Sequence, residues 1–159
     1  MVGANVVQVG PPMQSEPLSK RPRISSASRD GRKLILSVDD DIGVLFSRYR
    51  LLEDAGYAVI SASDSAEALE LFGTNPVDLV LLDYNMPMMT GDVVARAMKN
   101  YNPTVPVILV SGIEVPEHAL REVNHYIRKA EGPELLLRTI QELLASRSTA
   151  SRDDREQAS

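Results

Sequence analysis

Between residues 34 and 146, short and nearly all-apolar runs alternate with longer stretches whose apolar residues recur every three or four positions. The runs "KLILSV", "YAVISA", "DLVLLD" and "VPVILVS" are of the first kind, and a continuous apolar run of that length reads as a strand buried on both faces. "HYIRK" is a weaker fifth. The stretches between them have helical spacing. "IGVLFSRYRLLEDAG" sets Ile42, Leu45, Phe46, Tyr49 and Leu52 along one stripe, with Gly56 as a stop. Asp64 is placed to cap "SAEALELF", whose stripe is Ala68, Leu69 and Phe72. "DVVARAMKNY" predicts a helix through Val93, Val94, Ala97 and Met98. "PEHALREV" is a short helix with Pro116 in its first turn, and "PELLLRTIQELLASR" closes the series, again opened by proline.

Strand and helix thus alternate five times, which predicts an α/β domain over residues 34–146. Inner strands without a polar face require helices on both sides of a parallel sheet. Right-handed crossovers then favour a doubly wound three-layer sandwich, five strands in the order 2-1-3-4-5 flanked by five helices. Residues 1–33 and 147–159 mix Pro, Ser and Arg without a period and are expected to be disordered tails. A chain of 159 residues has room for one such domain and little more.

Charge changes this picture in one respect. Residues 1–33 carry a balance of +4, residues 34–146 a balance of −9, and residues 147–159 cancel. An acidic domain repels a phosphate backbone, so nucleic acid is not an expected partner. The basic "KRPR" reads as part of a solvated tail. The chain has no cysteine, which excludes disulfides, thiolate chemistry and Cys-based zinc sites. No apolar run is long enough to span a bilayer, and "MVGANVVQVGPP" lacks the basic start of a secretory signal, so a cytoplasmic location is expected.

The candidate chemistry lies at one edge of the sheet. In doubly wound folds, ligands sit at the carboxyl ends of the strands. Asp39, Asp40 and Asp41 end the first strand, Asp83 the third, Ser111 the fourth and Lys129 the fifth. Asp41 is expected to cap the first helix. If the first and third strands are neighbours, Asp39, Asp40 and Asp83 converge, and carboxylates that close need a counter-charge. All-oxygen ligation suits Mg²⁺. With Lys129 and Ser111 nearby, an anionic group on Asp83 would meet a metal ion, an ammonium and a hydroxyl, the equipment of phosphoryl transfer. His118 and His125 have no partners of metal-site spacing and are expected at the surface. "MPMM" reads as loop packing.

"ILSVDDD", "LVLLDYNMPMMTG", "PVILVSG" and "YIRK", in this order and spacing, resemble the receiver domain of two-component response regulators, a flavodoxin-like fold. The resemblance runs from about Leu34 to Leu144. It implies that Asp83 accepts a phosphoryl group from a histidine kinase or phosphotransfer protein. It implies further that Asp39, Asp40, Asp83 and the backbone carbonyl of Asn85 hold Mg²⁺. Ser111 and Lys129 match the residues that contact the phosphoryl group, and Tyr126 stands where the family often has an aromatic switch. No output domain follows the last helix, so a stand-alone regulator acting through protein contact is expected, not an enzyme.

Two other readings compete. Phosphatases of the haloacid dehalogenase type begin with Asp-x-Asp at a strand end, which Asp39 and Asp41 fit, but they want Thr or Val where Gly43 stands. A pseudo-receiver would keep the fold without the chemistry, against which stand five intact site positions. A nucleotide binder of the same fold would need a glycine-rich loop after the first strand, and none is there.

The chain departs from its family twice. Between Ser111 and Lys129 it is about one helical turn short, a loss expected to fall on the fourth helix. Ala130 stands where the family typically has a proline joined through a cis bond. For a non-proline residue the cis form costs about 2.5–4 kcal/mol. A trans peptide is therefore expected, with "AEG" rerouting the loop so that Lys129 still points at Asp83.

Overall fold

The computed structural model describes the backbone of residues 31–156 and the side chains of residues 31–149. Five strands, β1 (Leu34–Val38), β2 (Ala58–Ala62), β3 (Leu79–Asp83), β4 (Val107–Ser111) and β5 (His125–Arg128), form one parallel sheet in the order β2-β1-β3-β4-β5. The helices are α1 (Ile42–Asp54), α2 (Ser65–Thr74), α3 (Gly91–Tyr101), α4 (Glu117–Leu120) and α5 (Pro133–Glu156), with a 3₁₀ turn at Lys129–Glu131. This is the architecture that the alternating pattern predicts.

Successive strand residues point to opposite faces, so each strand serves two cores. On one face Leu34, Leu36, Val38, Val80, Leu82 and Leu109 pack with Phe72, Val94 and Met98. On the other, Ile35, Leu79, Leu81, Ile108 and Ile127 pack with Leu52, Leu136 and Ile140. Each such side chain, fully buried, contributes roughly 1.5–3 kcal/mol. The register positions the site: Val38 pairs with Leu82, so Asp39 comes level with Asp83.

Two helices present different faces from those expected. In α1 the buried residues are Leu45, Arg48 and Leu52, while Ile42, Phe46 and Tyr49 are exposed. Positions 45, 48 and 52 fit a helical repeat as well as the expected stripe does, and the arginine turns inward because a carboxylate awaits it there. In α3 the buried residues are Gly91, Asp92, Val94, Ala95 and Met98, while Val93 and Ala97 face outward. The close fit of Gly91 against β3 sets that rotation.

The boundaries also shift. Lys33 accepts a hydrogen bond on its carbonyl from the Ala58 N–H (2.9 Å), and Arg32 pairs with Glu53 (3.0 Å), so both belong to the ordered unit. At the other end α5 continues to Glu156 instead of stopping near Arg147. "ASRSTASRDDRE" has neither proline nor glycine to end it. Its Ser146 and Ser148 hydroxyls donate to the helix's own carbonyls at Glu142 (2.9 Å) and Leu144 (3.1 Å). Arg147 donates to the Asp78 carbonyl (3.0 Å), which fastens the helix to the sheet. The expected disorder of residues 1–30 and 157–159 lies outside the described residues.

A chain trimmed to residues 33–147 is still expected to fold. It keeps both cores and the Arg147 contact and loses a half-exposed Arg32–Glu53 pair worth at most about 1 kcal/mol. Circular dichroism should show a cooperative melt within a few degrees of the full chain. A non-cooperative melt would assign the removed segments a structural role.

The loss of length does fall on α4, which has four residues. Asn124 makes the abrupt entry into β5 possible: its N–H donates to the Val107 carbonyl (2.9 Å), and its side-chain oxygen accepts from the Val107 N–H (2.9 Å) and from Lys99.

Candidate functional site

At the carboxyl edge of the sheet, β1 runs out into Asp39, which is fully buried, and Asp40, which is exposed. Asp41 caps α1, accepting from the N–H groups of Gly43 (2.8 Å) and Val44 (3.3 Å). That placement takes it away from the other acids and removes the Asp-x-Asp pair on which the phosphatase reading rested. Asp83 ends β3 and is 3% exposed. Carboxylate oxygens of Asp39, Asp40 and Asp83 lie within 4.8 Å of one another.

Lys129, the first residue after β5, binds the cluster from the start of the 3₁₀ turn. Its ammonium is 2.9 Å from Asp83 Oδ1 and 3.0 Å from Asp39 Oδ2. Among the described residues no peptide bond is cis, so Ala130 follows the lysine in trans, as its identity demands. The 3₁₀ turn provides the detour: the Glu131 carboxylate accepts from the Arg128 N–H (2.7 Å), and Gly132 closes the turn at φ 85°.

A cation that the sequence reading passed over completes the site. Arg48 Nη2 lies 3.1 Å from Asp39 Oδ2, and its side chain is 8% exposed. Its signal was available as a lone charge three residues after Leu45 and four before Leu52, on the face turned toward the sheet.

Burial pushes the Asp83 carboxyl above its ordinary value, against the hydrogen bond from Lys129; the Asp39 charge pushes the same way. Burial pulls Lys129 down, but its hydrogen bonds to Asp83 and Asp39 outweigh this and leave it raised. Asp83 is thus a carboxylate whose charge the neighbouring cations do not fully compensate.

Ser111 and Tyr126 make their hydrogen bonds elsewhere than to the acids. The Ser111 hydroxyl donates to the Ile113 carbonyl (3.0 Å) and accepts from the Ile113 N–H (3.1 Å). The half-buried Tyr126 donates to the same carbonyl (3.3 Å). Both switch candidates therefore meet at Ile113, not at Asp83. Asn85 is exposed, two residues beyond Asp83. Its loop folds back so that the Gly91 N–H donates to the Tyr84 carbonyl (2.9 Å). In "MPMM" Met86 is buried while Met88 and Met89 are exposed, and His118 and His125 are at the surface.

The donor set fits a hard divalent cation: three carboxylates from two adjacent strands, one of them open to solvent.

The model of the response regulator receiver domain matches residues 35–141. The chain belongs to the response regulator receiver family. Receivers are the signalling domains of two-component systems. Among curated relatives, the transcriptional regulatory protein PrrA of Mycobacterium tuberculosis is 42% identical over 77 residues, covering 48% of this chain and 33% of PrrA. The chain therefore matches about a third of that relative's length. A CheY-like receiver domain from Methanospirillum hungatei superposes with a TM-score of 0.72 at 31% identity, over 75% of this chain and 98% of that one. The response regulator TrrA of Thermotoga maritima, solved in complex with Mg²⁺ and BeF, gives 0.67 at 26% identity, over 70% and 98%. Among the described residues of this receiver no helix is long and apolar enough to cross a membrane.

Proposed function

We propose that Asp83 is the phosphoacceptor of this receiver, charged by a histidine kinase or histidine phosphotransfer protein and read out by protein contact. The observation that carries the proposal is a buried carboxylate at the end of β3 with an ammonium at 2.9 Å and two further acids within 4.8 Å.

The chain's own residues divide the work. An Asp83 oxygen attacks phosphorus, the new O–P bond forms as the bond to the donor's imidazole nitrogen breaks, and that nitrogen regains a proton. Lys129, already on Asp83, offsets charge on the transferred group. Ser111 and Tyr126 need only leave the Ile113 carbonyl to supply hydroxyls to the product or to a changed surface. Asp39, Asp40, Asp83 and the Asn85 carbonyl would hold Mg²⁺, which supplies charge neutralisation for the oxygens in transfer. That TrrA, a structural neighbour, was solved in complex with Mg²⁺ and BeF supports Mg²⁺ as the ion. The acidic domain, with its −9 balance, favours a protein target over nucleic acid.

Incubation with acetyl phosphate and Mg²⁺ should add one base-labile phosphoryl group, and peptide mapping should place it on Asp83. Chelating the divalent ion should reduce labelling to background. Labelling elsewhere, or labelling indifferent to chelation, would overturn the reading.

A further inference from the structure

Arg48 is the one member of the acid cluster that the proposed chemistry leaves without a task. Burying a guanidinium in the apolar stripe of a helix is costly, and an aliphatic side chain there would join Leu45 and Leu52 in an unbroken core face. Its Nη2 holds Asp39 Oδ2 at 3.1 Å, yet its Nη1 is buried with no hydrogen-bond partner. The site thus accepts an imperfectly satisfied cation in order to have one at this place.

Asp39 has little capacity left for anything else. Its Oδ1 accepts from the Asp41 N–H (3.1 Å), and its Oδ2 is shared by Arg48 (3.1 Å) and Lys129 (3.0 Å). Asp39, Asp40 and Asp83 bring three negative charges against the two positive charges of Lys129 and Arg48, so the cluster carries a net charge of −1. Without Arg48 it would carry −2. The two cations also differ in kind. Lys129 sits on a flexible stem at the domain's edge, one-third exposed, whereas the guanidinium is packed into the buried face of α1.

We propose that Arg48 is a resident counter-cation of the acid cluster, competing with Mg²⁺ for Asp39 and setting how much Mg²⁺ the site requires. It also keeps Asp39 compensated when Lys129 turns toward a phosphoryl group on Asp83. The inference rests on the reading of this cluster as the Mg²⁺ site.

Mg²⁺ titration of the full, unphosphorylated chain by isothermal calorimetry tests it, at fixed ionic strength, alongside Arg48→Met and Arg48→Lys. Methionine extends the apolar stripe at similar volume, and Arg48→Gln serves as the neutral variant if Arg48→Met melts without cooperativity. Removing one positive charge a few ångströms from the ion should tighten Mg²⁺ binding by about tenfold or more. Arg48→Lys, which keeps the charge, should stay within about threefold of the parent. The Mg²⁺ concentration giving half-maximal labelling by acetyl phosphate should fall in parallel for the neutral variant. Unchanged binding in the neutral variants would overturn the proposal. Weaker binding would also overturn it, leaving Arg48 as a residue that merely orients Asp39 for the metal. Absence of Mg²⁺ binding in parent and variants alike would overturn the metal site itself and this proposal with it.

Discussion

Asp83→Asn should reduce phosphorylation by acetyl phosphate to background while leaving the protein folded and, at neutral pH, more stable. An amide oxygen is not a competent nucleophile here, and on the proposed reading the exposed Asp40 serves as a Mg²⁺ ligand and not as a nucleophile. Asp39 is engaged on both oxygens, and Asp41 is committed to its helix cap. Lys129 keeps a partner in Asp39 at 3.0 Å, so the exchange strands no cation. The stability gain follows from the direction of the Asp83 shift. Burial raises its pKa in the folded protein, so folding favours the protonated form over the charged one. Above the raised value the parent carries a charged carboxylate that folding disfavours, and asparagine removes that penalty. Below the unfolded value of about 4 both states bind the proton and the advantage vanishes. Melting curves of parent and variant should therefore diverge from acid to neutral pH, with the variant higher. A variant melting lower at pH 7 would show that the Lys129 contact outweighs the burial of Asp83.

Gly91→Ala should do the opposite, damaging fold and site together. Gly91 opens α3 directly against the backbone of Asp83. A Cβ there would lie 2.4 Å from the Asp83 carbonyl oxygen, 2.9 Å from Leu109 Cδ1 and 3.0 Å from Tyr84 Cα. Two of these three neighbours are backbone, so no side-chain rotation relieves the overlap. The start of α3 would have to move off β3, or β3 would have to carry Asp83 out of register with Asp39. Overpacking of this severity costs about 3 kcal/mol or more, a large share of a typical stability of roughly 5–15 kcal/mol. The melting point should fall by roughly 10 °C, and labelling should fall further than the folded fraction does. Gly73→Ala in α2 is the control. Its Cβ would meet only the Tyr101 ring, at 4.0 Å, and the exchange should leave stability equal or slightly higher. Equal melting points for the two alanine variants would refute the packing argument.

Much of the site could be read before the fold was known, because its residues obey a local rule. Asp39, Asp83, Ser111 and Lys129 each stand where a strand ends, and in a parallel sheet all strand ends of one sense share an edge. Candidate acid, hydroxyl and lysine positions at that edge could therefore be named one by one, and the fold brings Asp39, Asp83 and Lys129 into contact. Ala130 was legible for a related reason: the cost of a cis bond before a non-proline residue is a property of the residue itself. The trans peptide and the 3₁₀ detour through Glu131 answer that expectation.

What the chain alone determined is where periodicity changes: five apolar runs, the helical stretches between them, the short α4 and the acids at the strand ends. These depend on neighbours a few residues away. The tertiary structure decided which helix face turns inward, and it set Arg48 against Asp39 while leaving Ile42, Phe46 and Tyr49 in solvent. A 3.6-residue repeat allows either stripe; only the carboxylate of β1, brought opposite α1 by the winding of the sheet, selects one. It likewise turned Ser111 and Tyr126 onto the Ile113 carbonyl and carried α5 to Glu156. A hydroxyl takes the nearest acceptor the fold offers, and a helix without a breaker continues while its polar groups find partners along its own turns.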